Sequence, residues 1–279
     1  MSSQLDIGAG RPLTIRTEAG PIAALESGPV DGVPVLLVPG YTGSKEDFGP
    51  LLDPLADAGF HAVTVDLPGQ FESPGPDDPA RYTPRALAAT VRAVAATLGP
   101  RAHLLGHSFG GLVSRAAVID DRAAFASLVL MDSGPAALGG TRAQLIQMLR
   151  PYLPSLGLAG VYAASEAAAA AEPGYVPAPP ELAAFMQRRF LAGSPDMLLG
   201  MGEALISEPD RVEELAATGL ALLVLYGEND TSWSPALQAE MATRLAAVRI
   251  VVPDAAHSPA VENPPATVDA LITFWRAHG

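Results

Sequence analysis

The chain has 279 residues, 49% of them hydrophobic and 17% charged, which excludes an intrinsically disordered protein because enough apolar area is present to offset the entropy of ordering. Thirty acidic residues against 17 basic ones leave a net charge of −13, so nucleic acid and anionic membrane surfaces are not expected partners. With no cysteine, disulfides, thiolate nucleophiles and cysteine-ligated metals are ruled out.

The first residues, MSSQLDIGAG, lack the basic and apolar regions of a signal peptide. No stretch approaches the roughly 18 apolar residues of a membrane span, so the expected location is cytoplasmic. Composition does not distinguish a monomer from a homodimer.

In chain order, the runs Leu13–Glu18 and Ile22–Glu26 around Ala19-Gly20 predict an antiparallel hairpin. Short Val/Leu-rich runs follow at Val33–Val38, Ala62–Val65, Ala102–Leu105, Leu128–Met131, Leu220–Tyr226 and Val248–Val252. Such runs are expected of parallel strands covered on both faces. Helical patterns separate them, near 47–58, 84–98, 109–119, 235–247 and 266–277. Thr83-Pro84 reads as an N-cap followed by proline at the first helical position, and Gly99-Pro100 ends that helix. The fold class expected is therefore α/β, a mostly parallel sheet with an N-terminal antiparallel hairpin.

The alternation stops at 135–215, where alanine, methionine, proline and leucine predict helices at 142–152, 156–171, 180–191 and 195–206. Pro154, the stretch 172–180 and Gly193-Ser194-Pro195 are expected to separate them, with the proline-rich stretch serving as hinge or rigid connector. The expected organisation is a core of 1–134 and 216–279 interrupted by a helical insertion at 135–215.

Gly106-His107-Ser108-Phe109-Gly110 contains G-x-S-x-G, a weak match alone but here placed between an apolar run and a helical stretch. That strand–turn–helix setting is what an exposed serine nucleophile on a tight turn requires. Ser108 then needs a base. Of the five histidines, His61 and His103 open strands, His107 sits within the turn and His278 lies next to the C-terminus. His257 stands in the loop leaving the last strand, the edge where open α/β sheets carry function.

A carboxylate should orient that histidine, in the chain order serine, acid, histidine. Asp230, after Leu222–Tyr226, meets the order; Asp132, one strand earlier, is the alternative acid. Donors for a developing oxyanion are expected from the backbone N–H groups of Phe109 and of Tyr41 in Pro39-Gly40-Tyr41-Thr42-Gly43. Tyr41, Met148, Tyr152, Phe185, Met186 and Trp233 are the expected substrate-contacting side chains, an adaptable apolar lining for a small apolar ester-like molecule. No metal and no organic cofactor is required by this chemistry.

Together with Asp66-Leu67-Pro68-Gly69, Ser73, Gly227–Asp230 and Ala256-His257-Ser258, these landmarks resemble the α/β-hydrolase superfamily over about residues 10–279. The resemblance implies a nucleophile, acid and base at Ser108, Asp230 and His257, and identifies the insertion with the family's helical cap. Two departures stand out: Pro39-Gly40 where many relatives carry His-Gly, and Gly69-Gln70-Phe71 where many carry Gly-His-Gly.

A serine at the elbow favours acyl chemistry on carboxylesters or thioesters over the displacements at carbon made by aspartate-bearing relatives. Phe109 takes the tryptophan position of the iminopeptidase elbow, a weaker resemblance. A slow or non-hydrolytic ligand-binding sensor, and a lyase or cyclase using the same serine and histidine for proton transfer, are the readings from other classes.

Overall fold

Eight strands, β1 (Arg11–Thr17), β2 (Gly20–Ser27), β3 (Val33–Val38), β4 (Phe60–Val65), β5 (Ala102–His107), β6 (Phe125–Met131), β7 (Ala221–Gly227) and β8 (Val248–Val252), form one sheet. The strand order is β1-β2-β4-β3-β5-β6-β7-β8. β2 pairs antiparallel with β1 and β4, and the remaining pairs are parallel. The hairpin and mostly parallel sheet expected from the sequence are thus present, and the hairpin closes with Thr17 opposite Gly20. This computed structural model describes residues 3–172 and 174–279; Met1, Ser2 and Pro173 of the proline-rich linker lie outside them.

The two-residue period of a strand divides the apolar residues between two cores. Leu36, Val38, Leu104, Leu128, Leu130 and Val224 face one core; Val35, Leu37, Leu105, Val129, Leu223 and Leu225 face the other. Continuous apolar runs are therefore needed in the central strands, since both faces are covered.

The helices are α1 (Gly49–Asp57), α2 (Pro84–Leu98), α3 (Phe109–Asp120), α4 (Gly140–Leu149), α5 (Leu153–Ala170), α6 (Pro180–Ala192), α7 (Pro195–Ser207), α8 (Val212–Ala216), α9 (Pro235–Arg244), α10 (Pro259–Glu262) and α11 (Pro264–Arg276). α2 and α3 cover the first core, α1 and α11 the second. The Thr83 hydroxyl caps α2 by accepting from the Ala86 N–H at 3.2 Å, and Gly99 ends it at φ 124°.

Between β6 and β7 the secondary structure among the described residues is helical, α4 to α8. Pro154 does not separate two helices here. It occupies the first turn of α5, where its missing N–H is of no consequence, and the break falls at Gly157, whose φ of 62° departs from the helix. α8 has only five residues, too few to show a period in the sequence.

Both ends of this segment meet on α3. The fully buried Arg115 donates to the carbonyls of Pro135 and Pro209 and pairs with Glu208 at 3.0 Å. The Ala137 and Leu138 N–H groups bond back to the carbonyls of Glu208 and Leu205, at 2.8 and 2.7 Å. No helix among the described residues is long and apolar enough to cross a membrane.

Candidate active site

Ser108 joins β5 to α3 at φ 54° and ψ −121°, a conformation that a residue with a side chain holds only when its surroundings impose it. The glycines make room for it. A Cβ at Gly106 would collide with the Gly110 backbone, and one at Gly110 would collide with the carbonyls of Val38 and Pro39. The turn is fixed from both sides: the Ser108 N–H donates to the Met131 carbonyl and the Ser108 carbonyl accepts from Gly111, both at 2.9 Å.

His257, in the loop after β8, presents Nε2 to the Ser108 hydroxyl at 3.1 Å and Nδ1 to Asp230 Oδ1 at 2.9 Å. With Nδ1–H donating to the carboxylate, Nε2 is left to accept from the serine. The loop carrying this ring is braced. Glu262 Oε2 accepts from the N–H groups of Ala256 and Ser258 at 2.7 and 3.0 Å, and His107 Nε2–H donates to the His257 carbonyl at 2.6 Å. Burial, aided by the neighbouring His257, pushes the His107 pKa down to about 4, so its imidazole is a neutral donor at ordinary pH.

Asp230 is buried in the turn after β7. Besides His257, its Oδ1 accepts from the Ser232 N–H at 2.8 Å and its Oδ2 from Gln238 Nε2 at 2.8 Å. Burial works against its ionisation, but the hydrogen bonds it accepts, from His257 first and from the Ser232 N–H, outweigh it, and its pKa lies below the usual carboxylate range.

Asp132, the alternative acid, lies at the end of β6 with no exposure and no hydrogen bond to His257 among the described residues. Its Oδ1 accepts from the Gly227 N–H at 3.0 Å. Burial, with the Asp230 charge added, raises its pKa well above the ordinary range. The two neighbouring carboxyls are thus pushed apart, Asp132 toward its neutral form and Asp230 toward its ionised one.

Asp132, Asp230 and His257 also present ligand atoms within 4.8 Å of one another, a spacing that fits a metal ion. Asp230 and the His257 Nδ1 are already engaged with each other and with Ser232 and Gln238, so a metal would have to break these bonds.

Neither the Tyr41 nor the Phe109 N–H donates to another protein group among the described residues. Gln70, which with Phe71 departs from the Gly-His-Gly pattern, is buried. It accepts from the Leu67 N–H at 2.9 Å and donates Nε2–H to the Gly40 carbonyl at 2.7 Å. In a trans peptide the carbonyl and the following N–H point opposite ways, so a fixed Gly40 carbonyl also fixes the direction of the Tyr41 N–H.

Ser108 and His257 open onto a cavity of about 1100 Å³ between the sheet edge and the helices that follow β6. Of the six side chains expected to contact a substrate, Tyr41, Met148 and Met186 line it. The other three are outside its wall. Tyr152 is turned to solvent, with 56% of its surface exposed. Phe185 packs edge-on against Phe71 at 5.9 Å, and Trp233 is buried under the site, its Nε1–H on the Ala136 carbonyl at 3.3 Å. Composition of a helix cannot say which of its apolar residues face a cavity and which pack the helix down.

Sequence reasoning missed Gln238, Glu262 and the bracing role of His107; only His107, inside the elbow motif, carried a signal by position. The outer elements of the site are those the motifs did not include.

Residues 35–270 match the model of the Alpha/beta hydrolase family. A Variovorax paradoxus (strain S110) protein that carries the name carbamate hydrolase RutD is 38% identical over 106 residues, a match covering 38% of this chain and 40% of that relative. Among solved structures, a carboxylesterase of the thaumarchaeon Nitrososphaera gargenis superposes with a TM-score of 0.79 at 18% identity, covering 95% of this chain and 98% of the other. The enol-lactonase of Burkholderia xenovorans LB400 superposes with a TM-score of 0.79 at 20% identity over 95% of this chain and 100% of its own. A thermophilic esterase of Thermogutta terrifontis gives 0.74 at 24% identity, over 96% and 100%. At these identities the structural likeness speaks for the fold, the α/β-hydrolase fold expected from the sequence. With the family model covering most of its length, the chain belongs to the Alpha/beta hydrolase family.

Proposed function

We propose that the protein is a serine hydrolase that cleaves carboxylesters or thioesters with a largely apolar frame through an acyl-enzyme on Ser108. The observation that carries this reading is the hydrogen-bonded series Ser108 Oγ, His257, Asp230, with steps of 3.1 and 2.9 Å, at the mouth of the cavity. The helices between β6 and β7 act as the cap, whose apolar side chains receive the substrate.

His257 Nε2 takes the Ser108 proton as Oγ bonds to the ester carbonyl carbon. The negative charge passes to the carbonyl oxygen, which the N–H groups of Tyr41 and Phe109 receive. As the intermediate collapses, the bond to the alcohol or thiol breaks and that group takes the proton from His257. Water, deprotonated by the same nitrogen, then attacks the acyl carbon and frees Ser108. Throughout, Asp230 holds the Nδ1–H tautomer and compensates the imidazolium.

A fluorophosphonate probe should label Ser108, located by peptide mass spectrometry, and p-nitrophenyl esters and thioesters of graded acyl length should be turned over. Ser108→Ala should lose both behaviours. Folded protein that stays unlabelled and cleaves none of these substrates would refute the proposal, as would product analysis showing turnover without hydrolysis. The 38%-identical segment shared with a protein named for carbamate hydrolysis favours carbamates as a second substrate class, to be included in the same panel.

A further inference from the structure

Three arginines line the cavity, and two of them are neutralised. Arg189 pairs with Asp47 at 2.6 Å and Arg150 pairs with Glu203. The third is Arg142, in the first turn of α4, and it has neither an ion pair nor a hydrogen bond among the described residues. Most of the chain's 16 arginines have no ion pair among the described residues, so what sets Arg142 apart is its place: in the wall of the cavity onto which Ser108 and His257 open, it is the arginine whose charge no ion pair neutralises.

The position of Arg142 is informative. The carboxylates whose fields reach its guanidinium are Asp230 and Glu262, the groups that hold His257 and its loop. Both are already committed. Asp230 accepts from His257, Ser232 and Gln238, and Glu262 from the Ala256 and Ser258 N–H groups. Glu166 and Glu172 also line the cavity, but neither forms an ion pair with Arg142. Arg142 is exposed, so its guanidinium is open to an incoming ligand, and it stays charged.

We propose that Arg142 is an anion-recognition group in the wall of the cavity onto which Ser108 and His257 open, and that the preferred substrate carries one carboxylate in addition to its scissile ester. This rests on the serine-hydrolase reading for the word ester, although anion binding itself does not. The planar fork of a guanidinium matches two carboxylate oxygens. A single negative charge is favoured over a phosphate because Glu166 and Glu172 already make the rest of the wall acidic. The apolar lining, Met148, Met186 and Val161 among it, takes the carbon frame between the two functional groups.

The test compares neutral and charged members of matched pairs: p-nitrophenyl valerate with the mono-p-nitrophenyl ester of glutarate, and phenyl butyrate with 4-carboxyphenyl butyrate. One pair places the carboxylate in the acyl half and the other in the alcohol half. The charged-to-neutral ratio of kcat/KM should exceed one in at least one pair. It should fall about 10- to 100-fold in Arg142→Gln and partly recover in Arg142→Lys. A ratio unchanged by Arg142→Gln in both pairs overturns the proposal, even where both rates fall together. If the wild type cleaves no ester, the hydrolase reading fails separately, and calorimetric titration with glutarate decides the anion site: binding lost in Arg142→Gln supports it, while equal binding to both proteins, or none to the wild type, overturns it.

Discussion

Two buried carboxyls stand behind His257, and exchanging each for its amide separates their roles. Asp230→Asn keeps the size of the side chain but removes the negative charge and invites its N–H₂ to face His257, which then turns its other tautomer toward Ser108. A neutral partner of this kind lowers kcat by about 10⁴ in the serine–histidine–aspartate arrangement. Asp132→Asn should do almost nothing to kcat. Burial and the Asp230 charge favour the neutral form of the carboxyl it replaces, whose Oδ1 accepts from the Gly227 N–H at 3.0 Å; a neutral amide of the same size supplies that acceptor as well.

The same substitution has a sign in stability. Asp132 is held well above its ordinary pKa in the folded chain and returns to the ordinary value of 3.8 when unfolded. Between those two values the unfolded chain sheds a proton that the folded chain keeps, so native stability falls as pH rises, by about 1.4 kcal/mol for each pH unit of the window. Asp132→Asn removes that loss. Urea unfolding from pH 4 to pH 8 should therefore show the variant gaining on the wild type as pH increases, with ester hydrolysis at pH 7 within about threefold of the wild type. A fall of about 10³ or more in kcat for Asp132→Asn, or a stability difference that does not change with pH, would show that Asp132 is ionised and that the two carboxyls have been assigned the wrong way round.

Gln70→Leu removes the clamp on the Gly40 carbonyl and should lower kcat by about tenfold or more with KM little affected, a fraction of the loss expected for a missing oxyanion donor; steady-state kinetics that move KM alone would refute the alignment role. Arg115→Met leaves the Pro135 carbonyl and the Glu208 carboxylate unpaired where both ends of the helical segment meet, and should destabilise the fold by about 3 to 5 kcal/mol in urea unfolding; a loss below about 1 kcal/mol would refute the clamp. His103 is buried and its pKa is pushed down to about 4, first by burial and then by His278 and Arg101, whereas the unfolded chain binds a proton below about 6.5. Its share of stability, about 3 kcal/mol, is present above pH 6.5 and is lost as pH falls to 4. Asp66, pushed up to about 6 by burial against its Lys45 contacts, changes in the opposite sense over part of that range, so the test is the difference between wild type and His103→Asn, which should shift by about that amount in favour of the variant from pH 7 to pH 4. A constant difference would refute neutral burial of His103.

What the chain reveals before folding depends on whether a constraint is local. Gly106 and Gly110 are legible because a turn five residues long leaves no space for side chains there, and the same compactness identifies Ser108 from sequence alone. The strands are legible for a related reason: a sheet covered on both faces demands apolar runs, and β3 and β7 supply them unbroken, β5 and β6 with Leu104-Leu105 and Leu128–Met131. His257 and Asp230 are readable at one remove, since strand ends bring them to the same edge.

Gln238, Glu262, Gln70 and Arg142 act on the site from a helix, a loop and a distant insertion, and no spacing rule connects them to Ser108. Their selection is three-dimensional: Gln238 is defined by the Asp230 Oδ2 it must reach, Gln70 by the Gly40 carbonyl, and Arg142 by its place in the cavity wall. The same reason explains the lining. Phe185 and Met186 are neighbours on α6, yet one packs on Phe71 and the other faces the cavity, because a helix turns by about 100° per residue and its neighbours decide the rest. Motifs therefore name the atoms that react, whereas the groups that tune and select are written in the packing.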